Sequence, residues 1–347
     1  MRKIFAGRIS KMLGYGLVVV LFFGVLALTL SGCAFNNTTV NQGVAVKPVL
    51  QTVKTAYVPL TANLPLFVAL KQGFFKQNGL NVEASEATTP NDIVAALTAG
   101  KIDFAPVLAY TIIFPAAEQF PGTFKLFSST EETESNYTAS IIAKKDSPIN
   151  YYQDLRGKKI GVYGGLVQVN FLKSVLIGMK INLDEVKIVE INPRLQIQGL
   201  LAGEYDALST TEPTSNIAFL GDQVKLVVDN PRVKFIMSPF PSTAAVLSTK
   251  FINENKLAAE AIVYSLNQAI DFINSNPVEA KKALLDFTPI PASSADAVLA
   301  DLKLFHYAKL GEENRPQVQK FADYMFKNKL LKSPLEVNSL FGDGLLP

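Results

Sequence analysis

The 347-residue chain repeats one pattern twice, in which a short apolar or β-branched segment is followed by a segment with helical spacing. The first block covers residues 53–128 and the second covers residues 159–228. Such alternation favours mostly parallel sheets with helices on both faces. A further strand over 244–248 is followed by helical patterns through most of 253–328, so His306 is expected in a helical tail. The pattern therefore predicts an α/β chain with two lobes.

The order of the blocks predicts how the lobes are divided along the chain. We expect the first lobe to begin with residues 51–143, the second lobe to occupy residues 144–242, and residues 243–347 to return and complete the first lobe. Residues 33–50 are small and polar, which is typical of a tether, and residues 1–32 have a different character.

The N-terminal residues have the features of an export signal. A basic start without acidic residues precedes an apolar stretch over residues 12–30, which ends in Leu30-Ser31-Gly32-Cys33. The last four residues resemble the lipobox of bacterial lipoproteins, which implies cleavage before Cys33 and lipidation of its sulfur. The alternative is a transmembrane anchor, because 19 apolar residues come close to spanning a bilayer. Both interpretations place the rest of the chain in the periplasm or on the outer face of a membrane.

Composition excludes several classes of function. Loss of residues 1–32 would remove four of the 33 basic residues and none of the 30 acidic ones, leaving a net charge near −1. Nucleic-acid binding needs clustered basic charge, so we expect no nucleic-acid partner. Cys33 is the only cysteine and His306 the only histidine, which argues against zinc sites and against nucleophilic catalysis. We expect no metal, no cofactor and a monomer.

Six segments together indicate a family. They are GFFKQNGLNVE at 73–83, AALTAGKIDF at 95–104, DLRGKKIGV at 154–162, LLAGEYDA at 200–207, Glu212-Pro213, and PLEVNSLF at 334–341. Their order and spacing resemble the solute-binding proteins of the nitrate/sulfonate/taurine and thiamine-pyrimidine class, the NMT1/THI5-like family. The resemblance implies a two-lobed type II periplasmic-binding-protein fold with a two-stranded hinge, a small-molecule ligand between the lobes, and an ABC permease as partner.

Ligands of open α/β sheets bind beyond the carboxyl ends of the strands. We therefore predict that the residues at or after the strand ends face one crevice. These candidates are Tyr57, Thr61, Asn63, Thr88, Thr89, Asn91, Tyr110, Tyr163, Gly164, Gly165, Asn192, Arg194 and Glu212. Helix N-termini at the same edge would offer free backbone N–H groups to a ligand.

Each candidate also has a purely structural interpretation. Thr88 and Thr89 are typical helix caps, and Gly164-Gly165 is consistent with a tight turn. Arg194 and Glu212 are residue types that usually face solvent. The three tyrosines could instead be edges of the core, which is the common position of aromatic side chains.

Two ligand classes remain open. In the sulfonate binders that the chain resembles, the corresponding helix of the second lobe opens with a Gly-Ser-rich segment. Here that helix opens with Gly164-Gly165-Leu166-Val167, which has no hydroxyl side chain. Glu212 would repel an anion and would accept hydrogen bonds from N–H groups. The balance favours a planar N-heterocycle such as a pyrimidine or a flavin, whereas Arg194 favours a small oxyanion such as a sulfonate or nitrate. A sensory or scavenging lipoprotein is a further alternative. A pyrimidine synthase is disfavoured because the chain has one His and its one Cys belongs to the signal, which leaves no nucleophile and base for catalysis.

Overall fold

The computed structural model describes residues 50–345. The predicted signal 1–32, the lipidation site Cys33 and all of the tether except residue 50 lie outside the described residues. No helix within residues 50–345 is both long enough and apolar enough to cross a bilayer.

Eleven strands lie within the described residues. They are β1 (Gln51–Tyr57), β2 (Leu80–Glu86), β3 (Phe104–Ala109), β4 (Phe124–Glu132), β5 (Ala139–Lys144), β6 (Lys159–Tyr163), β7 (Lys187–Ile191), β8 (Ala207–Thr211), β9 (Val224–Asp229), β10 (Phe240–Ser248) and β11 (His306–Lys309).

The α-helices connect and cover these strands. In chain order they are α1 (Leu64–Lys71), α2 (Phe74–Gln77), α3 (Pro90–Thr98), α4 (Tyr110–Gln119), α5 (Leu166–Gly178), α6 (Gln196–Ala202), α7 (Thr214–Phe219), α8 (Pro231–Phe235), α9 (Thr249–Glu254), α10 (Lys256–Ser275), α11 (Pro277–Lys281), α12 (Leu284–Phe287), α13 (Ala295–Asp301) and α14 (Arg315–Lys327).

The strands form two sheets, which define the two lobes. The larger sheet has the order β11-β4-β10-β3-β1-β2, and the smaller has the order β7-β6-β8-β5-β9. In the larger sheet β1 pairs in parallel with β2 and β3, but β10 and β11 pair antiparallel. In the smaller sheet β6 pairs in parallel with β7 and β8, but β5 pairs antiparallel with β8 and β9. Both sheets are therefore mixed rather than mostly parallel, and His306 begins the edge strand β11 instead of lying in a helix.

The chain crosses between the sheets twice, after β4 and before β10. The predicted lobe boundaries at 143/144 and 242/243 fall inside β5 and β10, so we propose crossovers at residues 133–138 and 236–239 instead. Strand β10 then enters the centre of the larger sheet, where all nine of its residues are buried.

Local sequence explains the elements that border the site. Helix α3 begins with Pro90, and its capping residue Thr89 exchanges hydrogen bonds with Asp92, whose backbone N–H donates to the threonine hydroxyl. Helix α5 begins after Gly165, whose φ of +66° is a left-handed value that other residues rarely adopt.

The smaller sheet packs on both faces, since Ile141 and Ile142 are neighbours in β5 and belong to separate apolar clusters. The core of the larger lobe continues into Val167 and Phe171 of α5. The two lobes therefore share apolar packing close to the crossovers.

Candidate functional site

Two connected spaces lie between the sheets. The first, here called the inner cavity, has a volume of about 40 Å³. Its walls are Val58, Leu60, Thr61, Ala62, Pro90, Val107, Ala109, Thr138, Val167, Gln168, Phe171, Thr211, Glu212, Arg232, Ser242, Thr243 and Phe305. Residues of both lobes therefore enclose it.

The second space, here called the outer cleft, has a volume of about 810 Å³ and shares Val58, Leu60 and Pro90 with the inner cavity. Its size falls in the range typical of small-molecule sites. The ends of β1, β2, β6 and β7 and the start of α6 border it, as expected for strands whose carboxyl ends meet at one edge.

Eight of the predicted site residues line these spaces. Thr61 and Glu212 lie on the inner cavity. The other six lie on the outer cleft and are Tyr57, Thr88, Tyr163, Gly164, Asn192 and Arg194. Contact with a ligand remains a prediction for all eight.

The expectation that Tyr110 and Asn63 face the crevice is corrected, because neither residue lines the inner cavity or the outer cleft and both side chains are buried. Tyr110 begins α4 and points into the core of the larger lobe, where burial raises the pKa of its phenol. The Asn63 side chain donates a hydrogen bond of 2.8 Å to the Val58 carbonyl and so fixes the turn after β1.

Three further candidates, Thr89, Asn91 and Gly165, line neither space and lie at the helix N-termini that border the outer cleft. Thr89 serves as the α3 cap described above. The side-chain nitrogen of Asn91 would lie 3.0 Å from a Cβ atom at Gly165. The glycine therefore allows the N-terminus of α3 in the larger lobe to approach the N-terminus of α5 in the smaller lobe.

Glu212 occupies a half-buried position between the lobes. Its carboxylate accepts a hydrogen bond of 3.3 Å from the backbone N–H of Asn216, and no Lys or Arg of the described chain lies within 4 Å of it. Its backbone carbonyl accepts a hydrogen bond of 3.3 Å from the Thr61 hydroxyl of the larger lobe. Burial raises the pKa of the Glu212 carboxyl. The positive charge of Lys303 lowers this pKa in part, but no cation of the described residues is in direct contact with the carboxylate, which is thus available to a ligand.

Arg194 lies at the exposed rim of the outer cleft. Its side chain is 80% exposed, and its guanidinium donates to Glu86 of the larger lobe at 3.3 Å. Arg194 follows β7 of the smaller sheet and Glu86 ends β2 of the larger sheet, so the ion pair spans the outer cleft. Exposed pairs of this kind contribute about 0–1 kcal/mol.

A buried ion pair at the closed end of the cleft is not among the predicted site residues. Arg232, on the inner cavity, donates to Glu132 at 3.1 Å, and both side chains are nearly inaccessible to solvent. Glu132 also accepts hydrogen bonds from the backbone N–H and the hydroxyl of Thr138. The only available signal is position, since Glu132 precedes the first crossover and Arg232 precedes the second.

Aromatic side chains give the cleft flat walls. Phe171 and Phe305 line the inner cavity, and Tyr57 and Phe287 line the outer cleft with their rings edge-to-face at 6.0 Å. Tyr163 presents little surface, because it is 4% exposed and its hydroxyl is bonded to Thr211. Burial raises the pKa of the Tyr163 phenol, which therefore remains neutral. The site combines stacking surfaces with a few hydrogen-bonding groups.

Comparisons with known proteins agree with this architecture. A family model described as "NMT1/THI5 like" matches residues 61–280. A relative from Saccharomyces cerevisiae, named 4-amino-5-hydroxymethyl-2-methylpyrimidine phosphate synthase THI13, is 24% identical over 242 residues, which cover 67% of this chain and 69% of the relative.

Two solved structures resemble the whole described fold. The periplasmic aliphatic sulphonate binding protein SsuA from Escherichia coli superposes with a TM-score of 0.67 at 15% identity, covering 85% of this chain and 98% of SsuA. The periplasmic nitrate-binding protein NrtA from Synechocystis gives a TM-score of 0.65 at 13% identity, with coverages of 86% and 88%. The predicted two-lobed periplasmic-binding-protein fold is confirmed. The match over residues 61–280 shows that this chain belongs to the NMT1/THI5-like family.

Proposed function

We propose that this chain is an extracytoplasmic, lipid-anchored solute-binding protein that delivers a small molecule to an ABC importer. The favoured ligand is a planar N-heterocycle such as a pyrimidine or a flavin. Glu212 is the observation that carries this choice, because its half-buried carboxylate has no Lys or Arg of the described residues within 4 Å and lines the inner cavity beside aromatic walls. Such a group accepts hydrogen bonds from ring or exocyclic N–H groups.

The alternative ligand is a small oxyanion such as a sulfonate or nitrate. Arg194 supports this alternative, as do the ligands in the names of SsuA and NrtA. An anion in the inner cavity would meet Glu212, however, and the two arginines at the site are already paired, Arg194 with Glu86 and Arg232 with Glu132. A sensory or scavenging lipoprotein with the same ligand site would lack only the permease partner.

The enzyme alternative is motivated by the name of the yeast relative. A synthase would need reactive groups in the cleft. The single histidine of the chain is exposed at the start of β11 and lines neither space, and the cleft walls carry hydroxyl, amide, carboxylate, guanidinium and apolar groups. Binding without catalysis is the function that these groups support best, so we propose that the chain is not an enzyme.

Replacing Glu212 with alanine should weaken ligand binding more than tenfold, because a hydrogen bond to a charged acceptor contributes about 1.5–3 kcal/mol. A thermal-shift screen across pyrimidines, flavins, sulfonates and nitrate would identify the ligand class, since a ligand that binds the native state raises the melting temperature. Calorimetric titration would then measure the affinity. Glu83→Ala is the matched control, because Glu83 is an exposed glutamate on β2 outside the cleft.

The same contact predicts a pH dependence. The pKa of Glu212 is raised by burial, so the carboxylate is protonated at a higher pH than an exposed glutamate. Affinity for an N–H donor should therefore fall as the pH decreases through that raised pKa, and Glu212→Gln should remove this dependence. Binding that strengthens on acidification, or that is strongest for sulfonates and survives Glu212→Ala, would point to the oxyanion alternative.

The proposed anchor on Cys33 has a separate test. Changing Cys33 to serine should release the protein from the membrane fraction, because no acyl chain can then be attached to the sulfur. Metabolic labelling with radioactive palmitate should mark the unchanged protein and not the variant. Labelled serine variant in the membrane would contradict the lipobox interpretation.

A further inference from the structure

The buried pair of Arg232 and Glu132 joins the lobes at the closed end of the cleft. Arg232 belongs to α8 of the smaller lobe, and Glu132 ends β4 of the larger sheet. Removing two charges from water is costly, so a buried ion pair is weak evidence of a contribution to stability. Its position on the wall of the inner cavity suggests a role in binding instead.

Four neighbours hold the Arg232 guanidinium in one orientation. It donates to Glu132 at 3.1 Å, to Ser242 at 3.4 Å and to Gln168 at 3.4 Å. Its central carbon lies 4.0 Å from the ring centroid of Phe171. A guanidinium has five N–H groups, so these three hydrogen bonds leave donors for another acceptor. Glu132 therefore positions a donor that is only partly used by the described residues.

Arg232 and Glu212 lie on the same cavity, whose volume of about 40 Å³ admits a group of only a few atoms. A ligand end group that fills this space meets a donor on one wall and an acceptor on another. Phe171 and Phe305 bound the same space and favour a flat group.

We propose that the ligand enters with a flat edge carrying an adjacent hydrogen-bond acceptor and donor, of the form N–C=O or N–C=N. Arg232 binds the acceptor, Glu212 binds the donor, and Glu132 is a positioning residue for Arg232. This inference rests on the proposed solute-binding function and narrows its ligand class. It excludes ligands whose buried end carries only acceptors or only donors.

Matched probes test this directly on the full-length protein in detergent. Benzamide carries both groups on one edge, acetophenone carries the acceptor alone, and aniline carries the donor alone. Calorimetry at millimolar concentrations should show benzamide binding about tenfold more tightly than either of the others. Equal affinities for the three probes would overturn the inference.

The role of Arg232 is tested by the ratio of the benzamide affinity to the aniline affinity. A purely structural effect would weaken the binding of both probes and leave this ratio unchanged. In the double variant Glu132→Leu/Arg232→Met, which removes both charges together, benzamide should bind no better than aniline. Glu132→Gln should reduce the preference for benzamide over aniline by about threefold to tenfold. Arg232→Lys should retain only part of this preference, because an ammonium cannot reproduce the fixed donors of a guanidinium. A double variant with the unchanged ratio would overturn the assignment of Arg232.

Failure of the proposed function gives a different result. If a compound from the thermal-shift screen binds in a Glu212-dependent manner but benzamide does not bind, the ligand edge proposed here is wrong and the binding function stands. If neither the screen nor the three probes gives binding, the solute-binding function fails and this inference fails with it.

Discussion

Replacing Glu132 with leucine should lower the free energy of unfolding by about 3–5 kcal/mol. The change leaves the positive charge of Arg232 without its carboxylate in a site where its side chain is 5% exposed. Urea denaturation of the full-length protein, followed by circular dichroism, would measure the shift in the midpoint.

The double variant Glu132→Leu/Arg232→Met is the control for this prediction. It removes both charges and fills the space with apolar atoms, so its free energy of unfolding should return to within about 1 kcal/mol of that of the unchanged protein. A double variant as unstable as Glu132→Leu would show that packing of leucine, rather than the unpaired charge, causes the loss.

Replacing Phe240 with alanine should cost about 3–5 kcal/mol, because the side chain is fully buried where the lobes meet. Its ring lies 5.8 Å from that of Phe171 in α5 and 4.9 Å from that of Phe321 in α14. Removing it would leave a cavity bordered by both lobes. The measurement is again a denaturation midpoint.

Phe219 offers a matched comparison, since it is a phenylalanine with 37% of its surface exposed. Phe219→Ala should cost clearly less than Phe240→Ala, about 1–2 kcal/mol, because more than a third of the Phe219 surface already contacts water. Equal losses for the two variants would contradict the placement of Phe240 in a rigid core between the lobes.

The parallel part of the fold could be predicted because its signals are local. Strands β1, β2 and β3 alternate with helices in the sequence, and parallel pairing follows from that order. Strands β5 and β11 were missed. Strand β11 has only four residues within a segment of helical character, and its pairing with β4 depends on residues far away in sequence.

The candidate site was predictable in position but not in detail. The rule about strand ends brought Glu212 and Arg194 to the cleft, because the rule locates the backbone. It does not set the direction of a side chain, and Tyr110 points from the same edge into the core. Arg232 and Glu132 could not be found, because charged residues are usually exposed and these two are 100 positions apart.

The division of the sheets along the chain has a consequence for synthesis. The smaller sheet uses only residues between Ala139 and Asp229, so its contacts form within one continuous stretch. The larger sheet needs β10, which lies between β3 and β4 but follows them by more than 100 residues. A nascent chain that stops before Phe240 would therefore hold every strand of the smaller sheet, whereas β4 of the larger sheet would lack both of its neighbours, β10 and β11.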